Sequence, residues 1–247
     1  MSSLSSEALV LRTYALGETS LLVVFLTRER GKVRAVAKGA RGPRPRYRSA
    51  LMPLSEVRAS FHGRQGADLL RLGECELVRS AFAAGSRGVE QAATLSYFAE
   101  LLDAFAQEGE GDDVLYRLAR AVLAAAEDGK EVRVLSRYLE AWLLRLQGVH
   151  PPLDRCASCD APLPAGALAY HAAAQGFACS ACGPATGPVL TPAARAFLSE
   201  VFRRPPAEVA ETPRPEAEPL AAFHRALIER HLERALVSPR VMQEIAR

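Results

Sequence analysis

The sequence predicts an α+β protein in three parts: a five-stranded β-barrel over residues 1–80, a helical domain over 81–149 and 191–247, and a four-cysteine finger over 150–190 inserted in that helical domain. Three observations carry the prediction. Short extended runs separated by turn residues fill the first eighty positions. An apolar period of three and four residues takes over at residue 88. Two C-x-x-C pairs interrupt that helical pattern before it resumes at Thr191.

The strands follow in order. EALVLRTY (7–14) is extended and Gly17 breaks it. SLLVVFLT (20–27) is apolar throughout and predicts a strand buried on both faces. After the turn at 28–31, KVRAVAKG (32–39) alternates, with Lys32, Arg34, Val36 and Lys38 on one face and Val33, Ala35 and Ala37 on the other. A Gly/Pro loop spans 39–49. LMPLSEVRASF (51–61) and LLRLGECELV (69–78) complete the set around a turn at 62–68. Five such strands without a long helix suit a small barrel such as an OB-fold; periodicity alone leaves an SH3-like barrel open.

Residues 88–147 predict three antiparallel helices joined by short Gly-containing loops. Asp112 is the expected N-cap of the second, and Gly129 and Gly148 end the second and third. Leu135, Tyr138, Leu139, Trp142, Leu143 and Leu146 form one stripe, read as core packing. Thr191–Pro192 starts a short helix to about Phe202. The segment 203–219 holds five of the sixteen prolines and predicts an extended, poorly packed connection. A last amphipathic helix is expected over 220–236.

Composition bounds the function. The chain has 247 residues, 49% hydrophobic and 24% charged, as in ordinary globular proteins. Its longest apolar runs, such as Leu21–Leu26, are six residues, far short of the roughly 20 needed to span a membrane. The N-terminus lacks the basic and apolar regions of a secretory signal, so the expected compartment is the cytoplasm. Residues 1–80 carry a net charge of +7 and residues 81–247 a net of −4, which points to a polyanionic partner for the first part.

Two clusters carry chemistry. Cys156, Cys159, Cys179 and Cys182 form C-x2-C-x19-C-x2-C, the spacing of a zinc site. Each pair presents two thiolates to one cation, and two pairs complete a tetrahedral S4 set with no open position. One structural Zn2+ is therefore expected, and disulfides are disfavoured in a chain without a secretory signal. His150 and His171 flank the cysteines as alternative ligands; Cys75 stands alone and reads as a small buried hydrophobe. The second cluster spans residues 28–48: nine cations against the single acid Glu29. Arg28, Arg30, Lys32, Arg34, Lys38, Arg41, Arg44, Arg46 and Arg48 make a candidate phosphate track, with Tyr47 as a base-stacking ring. Motifs of P-loop, dinucleotide-binding, α/β-hydrolase and zinc-protease sites are missing, as is the H-x-E with P-C-x-x-C of zinc deaminases.

The run GETSLLVVFLTRERGKVRAVAKGARGPRPRYRSALMPLSEV (17–57) closely resembles the N-terminal region of the RecO family of bacterial recombination mediators. LEAWLLRLQGVHPPLDRCASC (139–159) is similar to that family's helix leading into its zinc finger, and FHRALIERHLERALVSPRVM (223–242) to its C-terminal helix. The resemblance implies an OB-fold, a helical domain and an embedded zinc finger, and carried over by position its DNA-binding cations fall on Arg28, Lys32, Arg34, Lys38, Arg41, Arg44 and Arg46. It implies binding of single- and double-stranded DNA, annealing of complementary strands, and loading of RecA onto DNA coated by single-stranded DNA-binding protein (SSB). The implied partners are RecR, the acidic C-terminal tail of SSB and, in places, RecF, in a cytoplasmic, nucleoid-associated setting and without catalysis. Arg133 and Arg137 beside the apolar stripe are the expected receivers of the SSB tail. Two other classes fit the same parts: an RNA-binding module, and a nuclease with a structural zinc, which would need clustered carboxylates for Mg2+.

Overall fold

The computed structural model describes residues 2–43, 47–64, 67–109, 111–184 and 186–239. Its contacts divide the chain into two compact units, Met1–Gly129 with Leu236–Arg247, and Lys130–Ala235. Packing thus draws a line at 129/130, where composition draws one at 80/81.

In the first unit, β1 (Ser2–Leu16), β2 (Ser20–Thr27), β3 (Gly31–Ala37), β4 (Glu56–Gly63) and β5 (Leu70–Arg79) close into a barrel in the order β1-β2-β3-β5-β4. β1 closes it by pairing antiparallel with β4 through its first half and with β2 through its second, bending at a register shift between Val10 and Arg12. β3 and β5 run parallel, with Ala35 opposite Leu70 and Val36 opposite Arg71. This is an OB-fold.

Alternation decides what fills it. Val23, Phe25, Ala35, Val57, Phe61, Leu70 and Leu72 point inward, and the Phe25 and Phe61 rings meet edge-to-face at 5.2 Å. The expected strand 51–61 begins only at Glu56. Its first residues instead end a 3-10 turn (Arg48–Leu51) and pass through Leu54 at φ 62°, which breaks the extension.

β2 is buried on both faces, but only over Val23–Thr27. Val24 and Leu26 face away from the barrel interior and are covered because α2 (Val89–Phe105) packs on β1 and β2. Leu22, the next residue on that outer face, is only half-buried. The unit is completed by α1 (Phe82–Gly85), α3 (Asp113–Glu127) and the returning tail. Asp112 caps α3 as expected, accepting from the Leu115 N–H at 2.8 Å. In the tail, Leu236 is buried, and the N–H groups of Val237 and Ser238 each donate to Glu100 of α2 at 2.8 Å.

The second unit contains α4 (Val132–Leu146), α5 (Pro192–Val201), α6 (Pro206–Val209) and α7 (Leu220–Leu232). A small sheet, β7 (Gly176–Phe177), β6 (Leu168–His171), β8 (Val189–Leu190) in that order, carries the finger. Thr191 caps α5, accepting from Ala194 N–H. α7 stops four residues before the expected 236 because Glu233 turns left-handed at φ 53°.

The proline-rich segment is not loosely packed. Val209 and Ala210 are buried, the Ala210 carbonyl accepts from Glu131 N–H, and Arg214 forks onto Glu200 at 3.1 and 3.2 Å while reaching Glu216 at 2.6 Å. Prolines at the starts of α6 and of a 3-10 turn at Pro215–Ala217 begin short helices, which the count of prolines alone concealed. Among the described residues, no helix is long and apolar enough to cross a membrane.

Candidate nucleic-acid face and metal centre

The barrel sorts the basic run into two groups. Strand alternation places Lys32, Arg34, Val36 and Lys38 on the outer face of β3, and this face changes character along its length. At the end near the 28–30 turn, α2, α3 and the segment between them supply acids. Arg28 pairs with Asp113 at 2.6 Å, Lys32 with Asp103 at 3.4 Å, and Arg34 with Glu108 at 2.8 Å. Arg12 of β1 joins them on Asp103 at 2.7 Å. The backbone closes the same seam: Lys32 N–H donates to the Gln107 carbonyl at 2.7 Å. A side chain at Gly111 would collide with the Glu29 carbonyl, so that approach requires glycine. The two exposed pairs, Arg28–Asp113 and Arg34–Glu108, contribute only about 0–1 kcal/mol each to stability. The larger effect of the acids is to neutralise three cations of the expected phosphate track.

At the other end the cations stay open. Lys38 and Arg41 are exposed, and Arg41 touches only backbone, reaching the Gly17 carbonyl at 3.3 Å. Arg71, at the start of β5 beside Val36, lies next to them and was missed by reading the 28–48 run alone; Arg64 is exposed too, but it follows His62, the partner of Arg71, in the direction of Arg34. Among the described residues no carboxylate pairs with Lys38, Arg41, Arg64 or Arg71. Only the barrel topology, which sets β5 beside β3, brings Arg71 next to Val36. Arg44 and Arg46 lie outside the described residues.

Tyr47 requires a correction. It is not an exposed ring: it is 5% exposed, packs in the barrel core, and its hydroxyl donates to the Leu72 or Gly73 carbonyl at 3.2 and 3.1 Å. An apolar ring following a Gly/Pro loop fills the mouth of a small barrel at less cost than it stands in water. Of the pair Arg133 and Arg137, the first stays exposed with Glu218 at 3.8 Å, and the second is corrected. Arg137 is turned inward onto Glu140 at 2.6 Å, and Glu140, 1% exposed, also meets His224 Nδ1 at 3.1 Å. A guanidinium committed to a buried carboxylate does not receive a peptide.

The four cysteines converge. Their sulfurs all lie within 4.8 Å of one another, with Cys159 Sγ 3.7 Å and Cys182 Sγ 3.6 Å from Cys179 Sγ. A cation at a Zn–S distance of about 2.3 Å in a tetrahedral S4 set spaces its sulfurs about 3.8 Å apart, so the donors fit such an ion. Backbone N–H groups of Cys179, Cys159 and Ser158 pull the Cys156 thiol down to about 6, as suits a ligand thiolate. The surrounding sulfurs of Cys159, Cys179 and Cys156 hold Cys182 up at about 12. Four thiolates in so small a volume coexist only around a cation. Among the described residues the group is cysteine alone; His150 instead bonds the Pro151 carbonyl at 2.9 Å. Cys75 packs against the barrel core, where burial pushes its thiol up to about 11.

Two family profiles match this chain, Recombination protein O N terminal over residues 1–81 and Recombination protein O C terminal over residues 89–240. The chain belongs to the RecO family. The DNA repair protein RecO of Koribacter versatilis (strain Ellin345) is 34% identical over 242 residues, covering 97% of this chain and 98% of that protein. The DNA repair protein RecO of Anaeromyxobacter sp. (strain K) is 34% identical over 250 residues, covering 99% and 98%. The family's two profiles divide the sequence where composition does, and the barrel corresponds to the first of them.

Proposed function

We propose that this chain is a DNA repair and recombination mediator that binds single- and double-stranded DNA through the open end of its barrel. In this role it anneals complementary strands and, with RecR and in some settings RecF, helps load RecA onto SSB-coated DNA. It does so as a binding protein, with no catalytic step of its own. The observation that carries the reading is the set Lys38, Arg41 and Arg71, exposed beside one another on an OB-fold with no carboxylate partner among the described residues. Arg44 and Arg46, between Arg41 and Tyr47 in the sequence, extend the same run of positive charge. Phosphates release counterions when such cations neutralise them, so affinity falls steeply with salt while base identity matters little. Family membership favours DNA over RNA as the polyanion.

One zinc ion held by Cys156, Cys159, Cys179 and Cys182 fits this reading as a structural part. With no fifth position open, it organises the finger and supplies no chemistry to DNA. The setting is the cytoplasm, at the nucleoid, and the SSB tail is a partner.

The deciding experiment mixes the full chain with complementary strands precoated by SSB and follows duplex formation. Annealing faster than the protein-free control supports the reading. No acceleration, together with no salt-sensitive binding to bare strands, overturns it. Competition by RNA of equal length at fixed salt, if it displaced DNA at parity or better, would favour the RNA-binding alternative.

A further inference from the structure

We infer that the four-cysteine centre is also an oxidation site: hydrogen peroxide attacks Cys159 first, Cys159 then forms a disulfide with Cys179, and the metal is released. The inference rests on the zinc reading above and adds a reaction to a centre which that reading treats as structural alone.

The two C-x-x-C turns are held differently. The second follows β7, and β6 and β7 are fixed to α7 by contacts that owe nothing to a metal. The Tyr170, Phe177 and Phe223 rings meet pairwise at 5.4, 5.8 and 6.0 Å, and Arg230 Nη1 donates to the Tyr170 hydroxyl at 3.1 Å. The first turn is tied to the finger at its start, where Cys156 N–H donates to the Ala161 carbonyl and Ala157 N–H to the Phe177 carbonyl, both at 2.8 Å. From Ala157 to Asp160 every residue is exposed, and Asp160 turns left-handed at φ 59°. A cavity of about 820 Å³ lies against this turn, with Cys156, Cys159, His150, Gln175 and Arg230 in its wall. Of the four cysteines only those of the first turn line it.

The sulfurs differ in the same sense. Cys156 is 2% exposed, and its sulfur accepts the backbone N–H of Cys179 at 3.3 Å, with those of Cys159 and Ser158 close by. Such bonds draw negative charge off a thiolate and blunt its attack. Cys159 is exposed, and among the described residues no N–H donor reaches its sulfur. Cys179 and Cys182 are half-buried and lie off the cavity wall. Oxidation follows thiolate character and access together. Cys159 alone of the four combines an uncapped sulfur with an open approach.

The chemistry balances with one peroxide. The Cys159 thiolate attacks a peroxide oxygen, an S–O bond forms, the O–O bond breaks and hydroxide leaves, so that sulfur has given up two electrons and become a sulfenic acid. Cys179 Sγ, 3.7 Å away, then attacks that sulfur; the S–S bond forms, the S–O bond breaks and a second hydroxide leaves. Two thiolates and one peroxide thus give one disulfide and two hydroxide ions. Reaching the S–S length of about 2.05 Å asks a shift of roughly 1.7 Å, which an exposed turn can make. A cation that needs four thiolates is left with two, and it departs.

The test uses the full chain with its zinc bound, exposed to a small excess of hydrogen peroxide. A chromogenic chelator follows zinc release. Parallel samples with and without dimedone, which traps sulfenic acids, are cut with chymotrypsin and read by tandem mass spectrometry. Cleavage after Tyr170 and Phe177 puts Cys156 and Cys159 on one peptide and Cys179 and Cys182 on another. The early dimedone adduct is expected on Cys159, about tenfold above any other cysteine of the cluster. Without dimedone, a Cys159–Cys179 cross-link should rise at the rate of zinc release, and dithiothreitol with added zinc should restore the metal. Cys75, packed against the barrel core, should stay a thiol throughout. A first adduct on Cys156, Cys179 or Cys182, or a first bridge joining other sulfurs, overturns the inference. Zinc retained under peroxide overturns it too and leaves the structural role intact. A chain that holds no zinc before peroxide is added overturns the zinc reading itself.

Discussion

At the closed end of the barrel, Arg12, Arg28, Lys32 and Arg34 each face a carboxylate supplied by α2, α3 or the segment between them. At the open end, Lys38, Arg41 and Arg71 face solvent. β3 runs through both environments: Lys32 and Arg34 are ion-paired, Val36 marks the edge, and Lys38 has no carboxylate partner among the described residues, all on one side of one strand. The difference teaches that a run of cations has no fixed meaning until the fold assigns its counter-charges. At one end the positive charge holds a helix and a loop onto a sheet. At the other, identical chemistry with no partner is available to a ligand.

The largest effect expected from this comparison is on DNA affinity. Replacing Lys38, Arg41 and Arg71 together with Ala should lower affinity for any DNA sequence by about a hundredfold at moderate salt, and should reduce the salt slope by about three units. Replacing Arg28 and Arg34 with Ala should leave affinity and slope near the parental values, with a stability loss of about 1 kcal/mol or less from two exposed pairs. Anisotropy titrations at several salt concentrations, with urea melts alongside, measure both. Equal losses of binding from the two variants would show that the ion pairs open for DNA and that the two ends form one surface.

How much of this was legible in the sequence follows the range of each signal. Alternation in KVRAVAKG gave the faces of β3 correctly, and the spacing of Cys156, Cys159, Cys179 and Cys182 gave their convergence, because both signals are local. The caps Asp112 and Thr191 were readable for the same reason. What the sequence concealed was non-local. Asp103, Glu108 and Asp113 lie more than seventy residues from the cations they neutralise, and no pattern in 28–48 announces them. Arg71 joins the face through a parallel β3–β5 pairing that sequence order hides. Tyr47 looked like a ring among arginines and proved to be a plug, since exposure depends on which cavity lies next to it. Arg137 was misplaced because its buried acid, Glu140, sits one turn along the same helix, while His224, the third member, comes from α7.

A second effect sharpens the comparison by touching neither end. The cysteine cluster belongs to the unit Lys130–Ala235, whereas both ends of the barrel belong to the other unit. Stripping the metal with a strong chelator should release about one zinc per chain. It should also loosen the finger, whose short strands β6, β7 and β8 hold little core of their own. Salt-dependent binding of DNA to the barrel should persist. Amide exchange read by mass spectrometry would show protection lost over 150–190 and kept over β1 to β5. Loss of protection in the barrel on chelation would mean that the metal supports the DNA face as well.

The smallest effect probes what holds the cover on the closed end. α2 presents Asp103 to Arg12 and Lys32, and three residues earlier Glu100 receives the N–H groups of Val237 and Ser238. Burial alone would raise the Glu100 carboxyl. The two backbone donors, with Arg12 nearby, outweigh that cost and hold it below the ordinary carboxylate range. A carboxylate whose folded pKa is depressed stabilises the fold above its unfolded value of about 4.3, and that contribution is lost as pH falls through the lower folded value. Glu100→Gln keeps the shape and one acceptor oxygen but removes the charge. It should therefore cost about 1–3 kcal/mol at neutral pH, with faster amide exchange at Val237 and Ser238. The deficit should shrink as the parental protein is taken below about pH 4, because acid then neutralises the parent at the same position. DNA affinity at the open end should not change at neutral pH, since neither Glu100 nor the tail contributes to that face. A deficit equal at pH 7 and at pH 3 would assign the latch to packing of Leu236 rather than to the charge of Glu100. A gain in DNA binding on its removal would show instead that the closed end opens when its cover is released.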